Sequence, residues 1–414
     1  MKITKYFALL CAAASLSIAG CELVDDNTNG TGNENIDDEN NGGENNGGEN
    51  NGENNGENNG ENNGNENNGD SEATIVLGAD KTTIELGETI IFTVTEGDND
   101  VTADCTIYDK EMATVEPNAE GDYTFTPETT GTFSFLATLG NKVSNRLYIS
   151  VLASVPVLPE DTDEANTKFN HRVLVVDHTG INCPNCPLMT DNLLAFHKTE
   201  WADNISEITC HAGGYAAGDP ANSPAANIVN QFYSPSGYPH LDINFYSADV
   251  GNYQTAYFVN VMSETVSSLV KKDGADAGIA IATTGDSDKV YATVAVKAAV
   301  EQEYKITAWL LENNIYSKNQ AGASKPEHYI YNHALRFIPG KYDRNNIQGE
   351  SFGVIKAGQT ISTGFELDIT STKWISENLE VIVIVSAQDK SKRWEVVNTL
   401  TCPVNQSVNF EYLK

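Results

Sequence analysis

Cys183 and Cys186 lie in the run HTGINCPNCP, separated by two residues. A CxxC pair supports thiol–disulfide exchange, because one thiolate attacks a partner's sulfur and the second, one turn away, releases the mixed disulfide. The residues alone leave three chemistries open: a redox-active pair, a permanently oxidised staple, or half of a metal site that would need two more ligands. The pair follows an apolar run, HRVLVVD, and precedes Met189, Leu193, Leu194, Phe196 and Trp201, which recur at helical steps. A strand end followed by a helix start points the first free N–H groups toward Cys183 and favours its thiolate, with Cys186 as the resolving thiol. Pro184 and Pro187 stiffen the turn without removing a needed donor.

Other residues could join this chemistry. Cys210-His211 sits at the end of a second expected strand, as a third redox cysteine with a base, as metal ligands, or as a buried free cysteine beside a loop histidine. His178 reads as packing, His333 as structural, and Cys105 and Cys402 fall in different segments with no near partner in sequence.

The elements that must position the pair alternate between β and α from 160 to 272. Strands are expected at Ile205–Cys210 and His240–Phe245, and helices at Ala225–Phe232 and over Phe258 to Leu269, so a parallel sheet with crossover helices is expected. Residues 73–153 instead carry short β runs at 8–12-residue spacing, as a small sandwich does. Residues 275–414 read as a second all-β sandwich in which LEVIVIVSA is a strand covered on both faces. Val155 to Thr167, with two prolines and four acids, reads as a linker.

The chain has 414 residues and a formal net charge of −33, from 25 Lys+Arg against 58 Asp+Glu. Residues 22–72 hold fifteen acids and no Lys or Arg, and 27–69 are almost wholly Asn, Gly and Glu. Such a stretch buries too little apolar surface to offset chain entropy, so 21–72 is expected to be a disordered tether. No basic stripe exists to neutralise phosphates, which argues against a nucleic-acid partner. Residues 1–20 have the two lysines and short apolar run of a secretory signal, too short to span a bilayer.

Ile18-Ala19-Gly20-Cys21 resembles a bacterial lipobox. That resemblance implies cleavage before Cys21, its acylation, and anchoring in the outer membrane. The acids Glu22, Asp25 and Asp26 resemble the signal that exports Bacteroidetes lipoproteins to the cell surface. The order GETIIFTV then YTFTPETTGTFSF resembles bacterial immunoglobulin-like domains.

VLVVDHTGINCPNCP with the later Gly-Tyr-Pro-His-Leu resembles the thioredoxin superfamily. The resemblance implies that Cys183 attacks, Cys186 resolves, Asp177 takes the resolving thiol's proton, and Pro239 is a cis-proline whose neighbour Tyr238 faces substrate. Asn182 stands where that superfamily usually has tryptophan, and no second strand is evident after Pro239. Lipobox, TGINCPNCP, WLLEN and YIYNHALRF together resemble the Bacteroidetes outer membrane protein 28-related family over about 169–414.

The expected fold class is thus multidomain, α/β plus all-β, with a thioredoxin-like α/β domain between two β-sandwiches. The expected function is thiol–disulfide exchange with a protein partner and no cofactor or metal. The competing class is a non-catalytic surface binding or adhesion lipoprotein.

Overall fold

Strands dominate the computed structural model, which describes residues 75–246, 248–340, 344–370 and 372–413. The signal sequence, Cys21 and the expected tether lie outside the described residues.

Residues 75–152 form two facing sheets. Val76–Ala79, Ile90–Glu96, Asn99–Asp100 and Thr124–Phe125 make one sheet. The other is built on Gly131–Leu139, antiparallel to Leu147–Leu152, which runs parallel to Thr83–Glu85. Alternate side chains of each strand, among them Ile90, Phe92, Val94, Phe135 and Ile149, meet in one apolar core. Phe92 and Phe125 both lie within 5.0 Å of Phe135, ring centre to ring centre.

After the linker the chain enters a nine-stranded sheet. Val173–Thr179 is parallel to Ile205–His211 and antiparallel to His240–Ile243, which pairs in turn with Ala248–Val250. The sheet then continues without a break into the C-terminal residues. Ile205–His211 meets Ala334–Phe337 at Thr209 and Ala334, and Gln302–Glu312, Leu379–Gln388 and Trp394–Pro403 follow.

This overturns the expected fold class. Among the described residues strand accounts for 42% and helix for 16%, in several sheets with three α-helices, and these residues hold no clear thioredoxin-like α/β domain between two sandwiches. The fold is largely all-β. The physical reason is the open edge of Ile205–His211, whose unpaired N–H and C=O groups need partners. The C-terminal segment joins that edge at Thr209, whose N–H is taken by His333 O, so the α/β stretch and the C-terminal stretch share one sheet.

Both faces of that sheet are covered, and the side chains divide by parity. Ile306, Ala308, Leu310, Val381, Val383 and Val385 pack toward the second sheet of Ala277–Gly285, Lys289–Ala298, Thr360–Asp368 and Ser407–Val408. Trp309, Leu311, Ile382 and Ile384 join Leu174, Val176 and Ile208 on the opposite face, with helix α2 (Pro224–Tyr233) over them. Val173 and Val175 pack against α1 (Cys186–Phe196) and α3 (Thr255–Leu269). Each such buried aliphatic contributes roughly 1.5–3 kcal/mol, which is why LVV and VIVIV show no polar alternation. No helix among the described residues is long and apolar enough to cross a membrane.

Candidate functional site

The turn after Val173–Thr179 carries the pair. Cys183 donates its N–H to Gly180 O at 3.0 Å, and α1 starts only at Cys186, with Pro187 in its first turn. Cys183 and Cys186 are joined as a disulfide. Both are buried, at 1% and 3% exposure.

Two neighbours hold the turn. From one side Asn182 donates its N–H to Tyr215 O and its side-chain amide to Ala217 O, each at 2.9 Å. Asp219 accepts from Ile181 N at 2.8 Å and pairs with His211 Nδ1 at 2.7 Å. From the other side comes a loop between two short strands, Ile315–Tyr316 and Ile330–Tyr331. Ala321 N donates to Ile181 O at 2.8 Å, and Gln320 Nε2 to Cys183 O at 3.1 Å. Tyr331 OH holds Gln320 Oε1 at 2.9 Å. Farther along, Lys325 Nζ and His328 Nε2 reach Asp191 Oδ1 on α1 at 2.7 and 3.1 Å. Burial alone would raise the Asp191 pKa, but these two partners outweigh it and lower it.

A cleft of about 140 Å³ opens between the sheet, α1 and this loop, and Asp177, Cys186, Glu207, His211 and His333 line it. Asp177 is 6% exposed, and its Oδ1 has no hydrogen-bond partner among the described residues. Burial first, and the charge of Glu207 second, push its carboxyl well above the usual range and favour the protonated acid. Glu207 is largely buried, with 12% of its side chain exposed, which alone would raise it. His197 Nε2 at 2.9 Å, together with the charge of His333, holds it below the ordinary value instead. Asp177 and Glu207 project to the same side because Val175 pairs with Glu207 and Asp177 with Thr209, two residues on.

The remaining expected residues fall around this centre. The Tyr238–Pro239 peptide is cis. Tyr238 OH donates to Asn230 Oδ1 at 2.6 Å, its ring lies 5.4 Å from that of Tyr215, and burial pushes its hydroxyl up to about 12. Cys210 is a free, fully buried thiol pushed upward by burial and by Asp177. His178, also buried, meets Asp242 Oδ2 and Asn230 Oδ1 at 3.0 Å each. Cys105 and Cys402 are free and buried. Among the described residues no group of three His, Cys, Asp or Glu could hold a metal ion.

Sequence reasoning missed Glu207, Asp219, Asp191, Gln320, His328 and the strand Ala248–Val250. NQAGASKPEH between two β runs was a visible turn-rich signal for the covering loop. Nothing in sequence marked what it covers.

Residues 226–407 match the family model described as outer membrane protein Omp28, and the resemblance to an outer membrane protein 28-related family stands on that stretch. The match places the protein at the outer membrane. It begins after Cys186, so the disulfide lies outside it while Pro239 and the covering loop lie inside. No curated protein matches the chain. Among solved structures the chain is similar to HBP35 of Porphyromonas gingivalis, at 15% identity over 58% of this chain and 77% of that one, with a TM-score of 0.46. It is also similar to the Yersinia pseudotuberculosis adhesin InvE, at 10% identity over 80% and 58%, with a TM-score of 0.15. Scores this low define no common fold.

Proposed function

We propose that this outer-membrane protein carries out thiol–disulfide exchange through Cys183 and Cys186, on exported or surface proteins, held to the membrane by acylated Cys21. The observation that carries the reading is the cleft lined by both Cys186 and Asp177, a buried acid with an unengaged oxygen. A partner thiolate attacks Cys183 Sγ. The Cys183–Cys186 bond breaks as the mixed disulfide forms, and Cys186 leaves as a thiolate that takes the Asp177 proton. The partner's second thiolate then attacks its own sulfur in the mixed disulfide. The partner is oxidised and Cys183 released, so two electrons rest on the dithiol.

The test is oxidation of a reduced dithiol protein by the full chain, together with Cys186→Ser, whose lone Cys183 thiolate should attack a disulfide-bearing partner and stay trapped as the mixed disulfide. Absence of both would remove the enzyme reading. The second reading, a binding lipoprotein with a structural disulfide, is favoured by the near-complete burial of both sulfurs. It requires a reduction potential below roughly −300 mV. For the anchor, Cys21→Ala should lose its lipid and leave the membrane fraction. External protease on intact cells should cut residues 27–69 if the protein faces outward.

A further inference from the structure

Resting on the exchange reading, we propose that residues 317–329 are a self-seated competitor of the substrate: they occupy the place over Cys183 that a segment of a partner protein must take, and exchange starts only when they lift.

The contacts are those an incoming chain would make. Gly180, Ile181 and Cys183 present backbone carbonyls, and the loop meets them with the N–H of Ala321 and the amide of Gln320. At Gly322, φ is +73° and a Cβ would lie 2.1 Å from Pro184 O, so the backbone approaches more closely than any side chain permits. Farther along, Lys325 places a cation on Asp191 of α1.

The loop is also built to leave. Its residues SKNQAGASKPEHY include no aliphatic larger than alanine. Lys318, Asn319, Gly322 and residues 324–327 are exposed. Ser317, Gln320 and His328 are buried, but what they and Lys325 contribute is polar, a handful of hydrogen bonds and one ion-pair cluster that a partner offering the same groups can replace. The two-residue strands at its base lie outside the nine-stranded sheet, so lifting it breaks no ladder of that sheet. The substrate this selects is a polypeptide that can turn at this point, with backbone N–H groups free, a glycine beside the reacting cysteine, and a basic residue a few positions on.

The test uses the oxidised full-length chain. Loss of the Cys183–Cys186 disulfide is followed by alkylation after adding dithiothreitol, or a peptide with the sequence of residues 319–325 and cysteine in place of Ala321. Gln320→Ala should speed reduction by either probe about tenfold. Gly322→Val should speed it more, because its side chain cannot coexist with Pro184 O. The far-UV circular dichroism of Gln320→Ala checks that the fold is kept, and hydrogen exchange at the Ala321 amide reports lifting directly. Faster Ala321 exchange in Gln320→Ala with an unchanged reduction rate would overturn the competitor. A wild-type disulfide that reacts as fast as an open one would overturn it too, while leaving the exchange reading intact. A loop that gates dithiothreitol, in a protein that never oxidises a dithiol partner, would support the gate and remove the exchange reading.

Discussion

The sandwich of residues 75–152 and the cleft end of the nine-stranded sheet bury opposite kinds of side chain. In the sandwich the buried polar side chains are Ser134 and Ser150, and the interior is aliphatic and aromatic. At the cleft end the buried set includes Asp177, His178, His211, Asp219, Glu312 and Arg336. Most of these are paired, as Arg336 Nη2 is with Glu312 Oε2 at 2.6 Å. Asp177 Oδ1 is an exception. Apolar burial stabilises without directing chemistry, whereas an acid buried with an unengaged oxygen lowers stability and is retained where its proton is used.

The sharpest break between the two regions is the fate of their cysteines. Cys183→Ser should abolish exchange with a dithiol partner, and Cys105→Ser in the sandwich should leave the rate unchanged; the assay is partner oxidation by the full chain. Equal losses would mean that exchange depends on overall stability rather than on the cleft. Next in size, Phe92→Ala should cost about 3–5 kcal/mol in denaturant melts, because it empties a fully packed aromatic site. Under native conditions it should not change how fast the disulfide is reduced.

Smallest is a gain. Asp177→Asn should stabilise the protein at pH 7 by roughly 1–3 kcal/mol while slowing release of Cys186. The folded value of Asp177 lies well above 3.8, so the folded chain holds this proton more tightly than the unfolded chain does. Stability from this group is full below about 3.8 and falls as pH rises toward the folded value, and Asp177→Asn should flatten that slope. A variant no more stable at pH 7 than the parent would show that Asp177 is not strained.

Patterns of burial were legible in the sequence and partners were not. LEVIVIVSA announced a strand covered on both faces, and the strand, CxxC and helix start around Cys183 appeared where spacing put them, although α1 ends at Phe196 and leaves Trp201 beyond it. Period-two alternation says that a face is buried, not what buries it. The single pair Thr209–Ala334 decides that two stretches share a sheet, and no local pattern encodes it. Glu207 looked like an ordinary strand acid because its partner, His197, lies beyond the end of α1. The linker shows the same limit. Its prolines and acids read only as a linker, yet Asp161 Oδ2 lies 2.7 Å from the buried Lys297 Nζ and Asp161 Oδ1 accepts from Tyr412 OH.

That one pair also sets a timetable. Exported chains emerge N-terminus first, and Ala334 follows Thr209 by 125 residues. Until it arrives, Ile205–His211 has only Val173–Thr179 beside it, and the far edge is an unpaired template open to any strand nearby. The sheet stays incomplete until Trp394–Pro403 crosses, close to the end of the chain. Folding of the cleft therefore waits for nearly the whole polypeptide to leave the cytoplasm, a non-local and slow closure during which the open edge is exposed to mispairing.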